Sequence, residues 1–101
     1  DGLRNVQKLA AFMTKYPQRT VLVEGFTDST GSSAHNLELS KRRAESVRGA
    51  LESMGIASDR SATRGYGESY PVAGNDTGAN RQLNRRVEII LSDDQGRVVP
   101  R

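Results

Sequence analysis

A chain of 101 residues has the length of a single domain, enough to bury roughly 60–70% of the surface its unfolded form exposes. It is polar, 35% hydrophobic and 5% aromatic with a mean hydropathy of −0.64, and no apolar run approaches the ~18 residues of a bilayer-crossing helix. The absence of cysteine excludes disulfides and thiolate metal sites, and a net charge of +3 favours anionic or carboxylate-bearing partners, nucleic acid among them, unless the excess is simply a solvated basic surface.

The chain opens at Asp1 and not at Met, so we expect a piece of a longer or processed protein. Residues 3 to 16 read as a helix, with Leu3, Val6, Leu9 or Ala10, and Met13 recurring every three or four positions. Pro17 ends it, because the residue before a proline avoids helical angles. Residues 19 to 27 read as a strand built on Val21, Leu22 and Val23, and Gly31-Ser32-Ser33 as a loop.

Residues 36 to 54 carry the strongest helical pattern. Asn36 is a candidate N-cap, and Ser40, Ala44, Val47, Leu51 and Met54 form one face. Lys41 with Glu45 and Arg48 with Glu52 are spaced four apart, in the weaker base-before-acid order. Gly55 stands where a left-handed C-terminal cap belongs. Residues 61 to 66 read as a short strand. A glycine-punctuated loop follows, with one helical turn near 79 to 83. Residues 85 to 92 read as a strand with Val87, Ile89 and Leu91 on one face, and a polar tail runs from 93 to 101.

The order predicts a parallel strand–helix–strand unit within an α+β fold. This is a two-layer sandwich, a mixed β-sheet with helices packed on one face.

Two clusters carry chemistry. Asp28 ends a strand and Arg43 lies in the early turns of the next helix, so both fall at one edge of a parallel unit. A carboxylate and a planar guanidinium there match the ammonium and carboxylate of an amino-acid zwitterion; equally, they match an ordinary surface ion pair worth ~0–1 kcal/mol, or a turn-stabilising aspartate. Thr27 and Asn36 flank that edge and can hydrogen-bond a ligand, or serve only strand and cap. The segment Asn80-Arg81-Gln82-Leu83-Asn84-Arg85-Arg86 leads arginines into a strand, where they read phosphates or carboxylates, or stay solvated.

His35, the sole histidine, has no nucleophile or orienting group nearby in sequence, and scattered carboxylates around one histidine make a poor metal site. Gly65-Tyr66-Gly67-Glu68 lacks the third glycine and the following helix of a phosphate cradle. We expect no metal, no cofactor and no catalysis.

GFTDSTGS from 25, the Leu39-Ser40 and Arg43-Ala44 pairs with Gly55 beyond them, RGYGES from 64 and NRRVEI from 84 together resemble the OmpA-like C-terminal domain. That family includes the periplasmic domains of OmpA-type porins, peptidoglycan-associated lipoproteins and flagellar stator proteins. The resemblance covers about residues 3 to 92, so residues 1 to 92 are expected to form the domain.

It implies a βαβαββ fold and non-covalent binding of peptidoglycan through the meso-diaminopimelate of the peptide stem. Asp28 would hold the ammonium and Arg43 the carboxylate. Thr27, Asn36, Leu39 and Arg85 would line the site, and Arg42 would be a solvated neighbour. It further implies a periplasmic location and a parent anchored in or to the outer membrane of a Gram-negative cell.

Two departures stand out. The family's first strand is absent from these residues, which leaves a sheet edge open to pairing with a second copy. Phe26 replaces a frequent histidine, which is expected to change packing and not function. The alternative from composition is a basic nucleic-acid-binding domain; five aromatics and no stacking platform argue against a nucleic-acid partner.

Overall fold

The computed structural model describes residues 2–98, with side chains from Arg4 to Val98. Its elements in chain order are α1 (Gly2–Lys15), β1 (Val21–Gly25), α2 (Ser33–Ser53), a single 3-10 turn at Ser58–Arg60, β2 (Ser61–Gly65), α3 (Gly78–Asn84) and β3 (Val87–Leu91). The predicted order holds. The strands are shorter than the sequence suggests, and the predicted helical turn is a seven-residue helix. The side chain of Leu3 and the tail beyond Val98 lie outside the described residues.

The sheet has the order β2-β1-β3. β1 pairs parallel with β2, Val21 opposite Ser61 through Gly25 opposite Gly65, and antiparallel with β3, Val21 opposite Leu91 through Gly25 opposite Val87. All five residues of β1 are buried. Val21 and Val23 face the helices and join Val6, Ala10 and Met13 of α1, Ala44 and Leu51 of α2, and Ile56 in one core. Leu22, Glu24 and Phe26 alternate to the opposite face, as the two-residue strand period requires. The architecture is the expected α+β one, with three α-helices and an open, mixed three-stranded sheet among the described residues.

Both ends of α2 are specified locally. Its N-cap is Ser32, whose Oγ accepts the His35 amide at 3.1 Å, and not Asn36 as the spacing suggested. The helix therefore starts three residues earlier, and Asn36, 3% exposed, turns inward. At the other end Gly55 has φ +93°. The Gly55 amide donates to Glu52 and the Ile56 amide to Leu51, the paired bonds of a Schellman cap, with Ile56 and Leu51 both in the core.

Among the described residues no strand pairs with the outer edge of β3. Phe26 N–H donates to Arg86 and Ser92 N–H to Thr20, so the hydrogen-bonded rows of this antiparallel pair are the even-numbered ones. Backbone groups of Val87, Ile89 and Leu91 then point away from β1, and Ile89 and Leu91 are each 39% exposed. The segment after β3 is anchored more firmly than a solvated tail: Thr20 Oγ1 donates to the Gly96 carbonyl at 3.1 Å, and Arg19 donates to that of Ser92 at 2.7 Å.

Candidate functional site

Loops that follow parallel strands gather at one end of a sheet, and here that end is built around Asp28, three residues past β1. The Asp28 side chain folds back on its own loop. Its Oδ1 accepts the Thr30 amide at 2.8 Å, and its Oδ2 accepts Arg85 Nη1, from 57 residues further along the chain. The residue is only 6% exposed. The Thr30 N–H is the main cause that holds its carboxyl below the usual range; burial opposes this, and Arg85 adds to it by hydrogen bond and charge.

Arg43 sits on the α2 face that overlooks this loop, and its Nη1 donates to the Phe26 carbonyl at 3.1 Å. Its anchor is thus two residues from Asp28, while the direct ion-pair partner of Asp28 is Arg85. The predicted pair is brought to one end of the sheet, with its two members held by different neighbours.

Thr27 is buried, with its hydroxyl on the Asp28 carbonyl at 2.9 Å. Asn36 donates to the carbonyls of Asp28 (3.3 Å) and Thr30 (3.0 Å) and lies 3.5 Å from Glu68 Oε2. It shapes the loop from beneath. Leu39 is half-buried on α2, and Arg42 and His35 are exposed.

Residues to which the sequence reading gave no part in this site lie around the same loops. Glu68 accepts the Ser33 hydroxyl at 2.9 Å and so ties the loop after β2 to the start of α2. Asn75 Oδ1 accepts the Ser29 amide and the Asn84 side-chain amide. Asn84 is fully buried and also accepts the amides of Val72 and Ala73. Asn75 and Asn84 stand in the RGYGES-to-NRRVEI region of the sequence, but only folding reveals that they bind each other.

The arginines of that region serve internal contacts. Arg86 lies over the Phe26 ring, 3.9 Å from its centroid, and donates to Glu88 at 2.5 Å and to the Tyr70 carbonyl at 2.8 Å. Phe26 is fully buried and stacks on Tyr66 at 5.5 Å. The Tyr66 hydroxyl is pushed up mainly by burial, then by its bond to Glu24. Arg60 closes the C-terminal end of α1, donating to the carbonyls of Met13, Tyr16 and Arg19. Arg60 and Arg86 are thus tied into the fold by these contacts.

Two surface cavities are lined by other residues. One of about 310 Å³ is bounded by Leu22, Arg60, Ala62 and Val98, and one of about 390 Å³ by Lys41, Glu45, Thr63 and Tyr66. Among the described residues no cluster of histidines and carboxylates is arranged to hold a metal ion, and no helix is long and apolar enough to cross a membrane.

The chain and its fold have known relatives. Outer membrane porin F of Pseudomonas fluorescens is 51% identical over 84 residues, covering 83% of this chain and 26% of the porin. Peptidoglycan-binding protein ArfA of Mycobacterium tuberculosis is 39% identical over 87 residues, covering 86% of this chain and 27% of ArfA. The crystal structure of the peptidoglycan-associated lipoprotein from Burkholderia pseudomallei superposes with a TM-score of 0.86 at 33% identity, covering 89% of this chain and 76% of that one. The chain thus spans about a quarter of the length of these two curated relatives. The family model described as "OmpA family" matches residues 2–85, and the chain belongs to that family.

Proposed function

We propose that this domain binds peptidoglycan non-covalently at the Asp28 end of the sheet, through the diaminopimelate of the stem peptide. It would thereby tether a longer, membrane-anchored envelope protein to the cell wall in the periplasm. The observation that carries the reading is the placement of a nearly buried carboxylate, Asp28, beside a helix that presents Arg43 at the same edge. In this reading Asp28 takes the ammonium of the amino-acid head and Arg43 its carboxylate, in a planar two-nitrogen contact suited to that group. Thr27 and Asn36 hold the loop in shape, and Leu39 and Arg85 flank it.

ArfA and the Burkholderia lipoprotein, whose names carry peptidoglycan binding or association, support the ligand class. The site breaks no bond; it grips. One amino-acid head offers few atoms, so a single contact is weak, and repeated stems along one polymer strengthen attachment by avidity.

Calorimetric titration with a meso-diaminopimelate tripeptide tests the reading, alongside Asp28→Ala and Arg43→Ala variants shown by circular dichroism to fold. Each substitution leaves a charged partner without its counterpart and is expected to weaken binding by roughly 1–3 kcal/mol, about 5- to 150-fold. A folded wild-type domain that ignores the peptide, or variants that bind it equally well, would overturn the assignment. Turnover of muropeptides by the purified domain would overturn the absence of catalysis.

A further inference from the structure

We infer that Arg85 is an internal stand-in for the ligand's ammonium, holding Asp28 in the free protein and exchanging onto the ligand's carboxylate when the ligand enters. The inference rests on the diaminopimelate reading above and assigns Arg85 a part in it: a selector for a zwitterion over a simple cation.

The geometry points this way on three counts. First, both oxygens of Asp28 are engaged, Oδ1 by the Thr30 amide and Oδ2 by Arg85 Nη1. The Thr30 contact is made within the loop itself. The Arg85 contact comes from a side chain that is 36% exposed, against 8% for that of Asp28. A positive group that reaches a nearly buried carboxylate from the solvent side occupies the approach a ligand's ammonium must use.

Second, Arg85 is lightly held elsewhere. Its Nη2 donates to Gln82 at 3.1 Å in an exposed contact, and its backbone is fixed independently by the bond from its amide to Arg81. The guanidinium can therefore swing away while α3 and β3 stay in place.

Third, among the described residues Arg85 is the one charged group bonded to the Asp28 carboxylate. Thr27 and Asn36 donate to backbone carbonyls of the loop, and Thr30 gives its own backbone N–H to Asp28 Oδ1. Arg43 is already directed at the neighbouring Phe26 carbonyl.

Displacement therefore has opposite consequences for two ligands. An ammonium with a carboxylate beside it releases Arg85 and offers it a new partner next to Arg43. An ammonium without that carboxylate releases Arg85 into water and recovers nothing.

Titration of the 101-residue chain with two probes tests this: the meso-diaminopimelate tripeptide, and the same peptide amidated at the diaminopimelate side-chain carboxyl. Wild type, Arg85→Gln and Arg85→Lys are compared. Arg85→Gln is expected to bind the amidated peptide about 2- to 10-fold more tightly than wild type while binding the free acid no better, so the preference for the acid shrinks. Arg85→Lys, which returns a cation to Asp28, is expected to restore the preference.

Equal weakening toward both peptides would make Arg85 an ordinary contact, and no change toward either would make it a bystander. Each of these results overturns the inference while leaving the diaminopimelate reading intact. Failure of all three proteins to bind either peptide would overturn that reading and this inference together.

Discussion

The carbonyl oxygen of Ser40 lies where a Cβ on Gly25 would have to be. The partner of Gly25 across β1 and β2 is Gly65, and a Cβ there would fall 2.6 Å from the Lys41 amide nitrogen. Two glycines at one register thus let α2 rest directly on the backbone of both strands. That close approach places the Asn36-to-Arg43 stretch of the helix over the loop that carries Asp28. Both contacts are to backbone or to the turn around Ser40, which cannot yield without shifting the helix.

Gly25→Ala is therefore expected to destabilise the domain by about 1–3 kcal/mol or more, through overpacking. Gly49→Ala meets nothing within 4 Å and serves as the control. Urea unfolding followed by circular dichroism checks both, and equal midpoints for the two variants would contradict the close-approach argument.

The two ends of the Asp28 loop depend on different residues. Ser32→Ala removes the helix cap and is expected to cost about 0.5–2 kcal/mol, with faster amide exchange confined to the first turn of α2. Asn36→Ala strips hydrogen bonds from the carbonyls of Asp28 and Thr30 and is expected to cost about 1–3 kcal/mol, with faster exchange in the loop. Residue-resolved hydrogen exchange separates the two. Fraying of the helix start in the Asn36 variant instead would return the capping role to Asn36.

Stability is expected to fall in acid. Asp28 is held below its ordinary pKa first by the Thr30 amide, and Asp93 by the amides of Arg97 and Gln95. A carboxyl lowered in the folded state contributes stability that is present above its unfolded value of about 3.9 and is lost as pH falls through the folded value. Asp28→Asn should flatten the loss of stability below about pH 4, and Asp93→Asn should remove the contribution of the turn after β3. Urea midpoints measured across that window provide the check; an unchanged slope in the Asp28 variant would refute its part.

Arg86 and Arg42 are expected to behave differently although both are arginines at sequence positions of similar character. Arg86→Ala removes the contact with the Phe26 ring, the Glu88 ion pair and the bond to Tyr70, at an expected cost of about 1–3 kcal/mol. Arg42 is exposed, and Arg42→Ala is expected to stay within about 0.5 kcal/mol of wild type. Thermal melts of the pair decide the point, and an Arg86 variant as stable as the Arg42 variant would reduce the stack to a surface contact.

Phe26 illustrates how far local reading reaches. Its position after a strand and beside the TD motif is plain in the sequence, and so is the expectation that it alters packing. Its partners, Tyr66 and Arg86, come from two different strand ends. The pairing of Asp28 with Arg85 has the same character.

What the sequence by itself determined is the part governed by short-range rules. The three-to-four-residue spacing set the faces of α1 and α2, Pro17 and Gly55 marked helix ends, and β-branched runs marked β1 and β3. The motif residues marked the end of the sheet at which we propose the ligand binds. Tertiary structure alone decided which arginine meets Asp28, which asparagines bind each other, and which serine caps α2. Those choices depend on where β3 returns antiparallel beside β1 and on how closely two glycines admit the helix. A hydrogen bond is selected by the few ångströms that folding brings together, and spacing along the chain does not encode that distance.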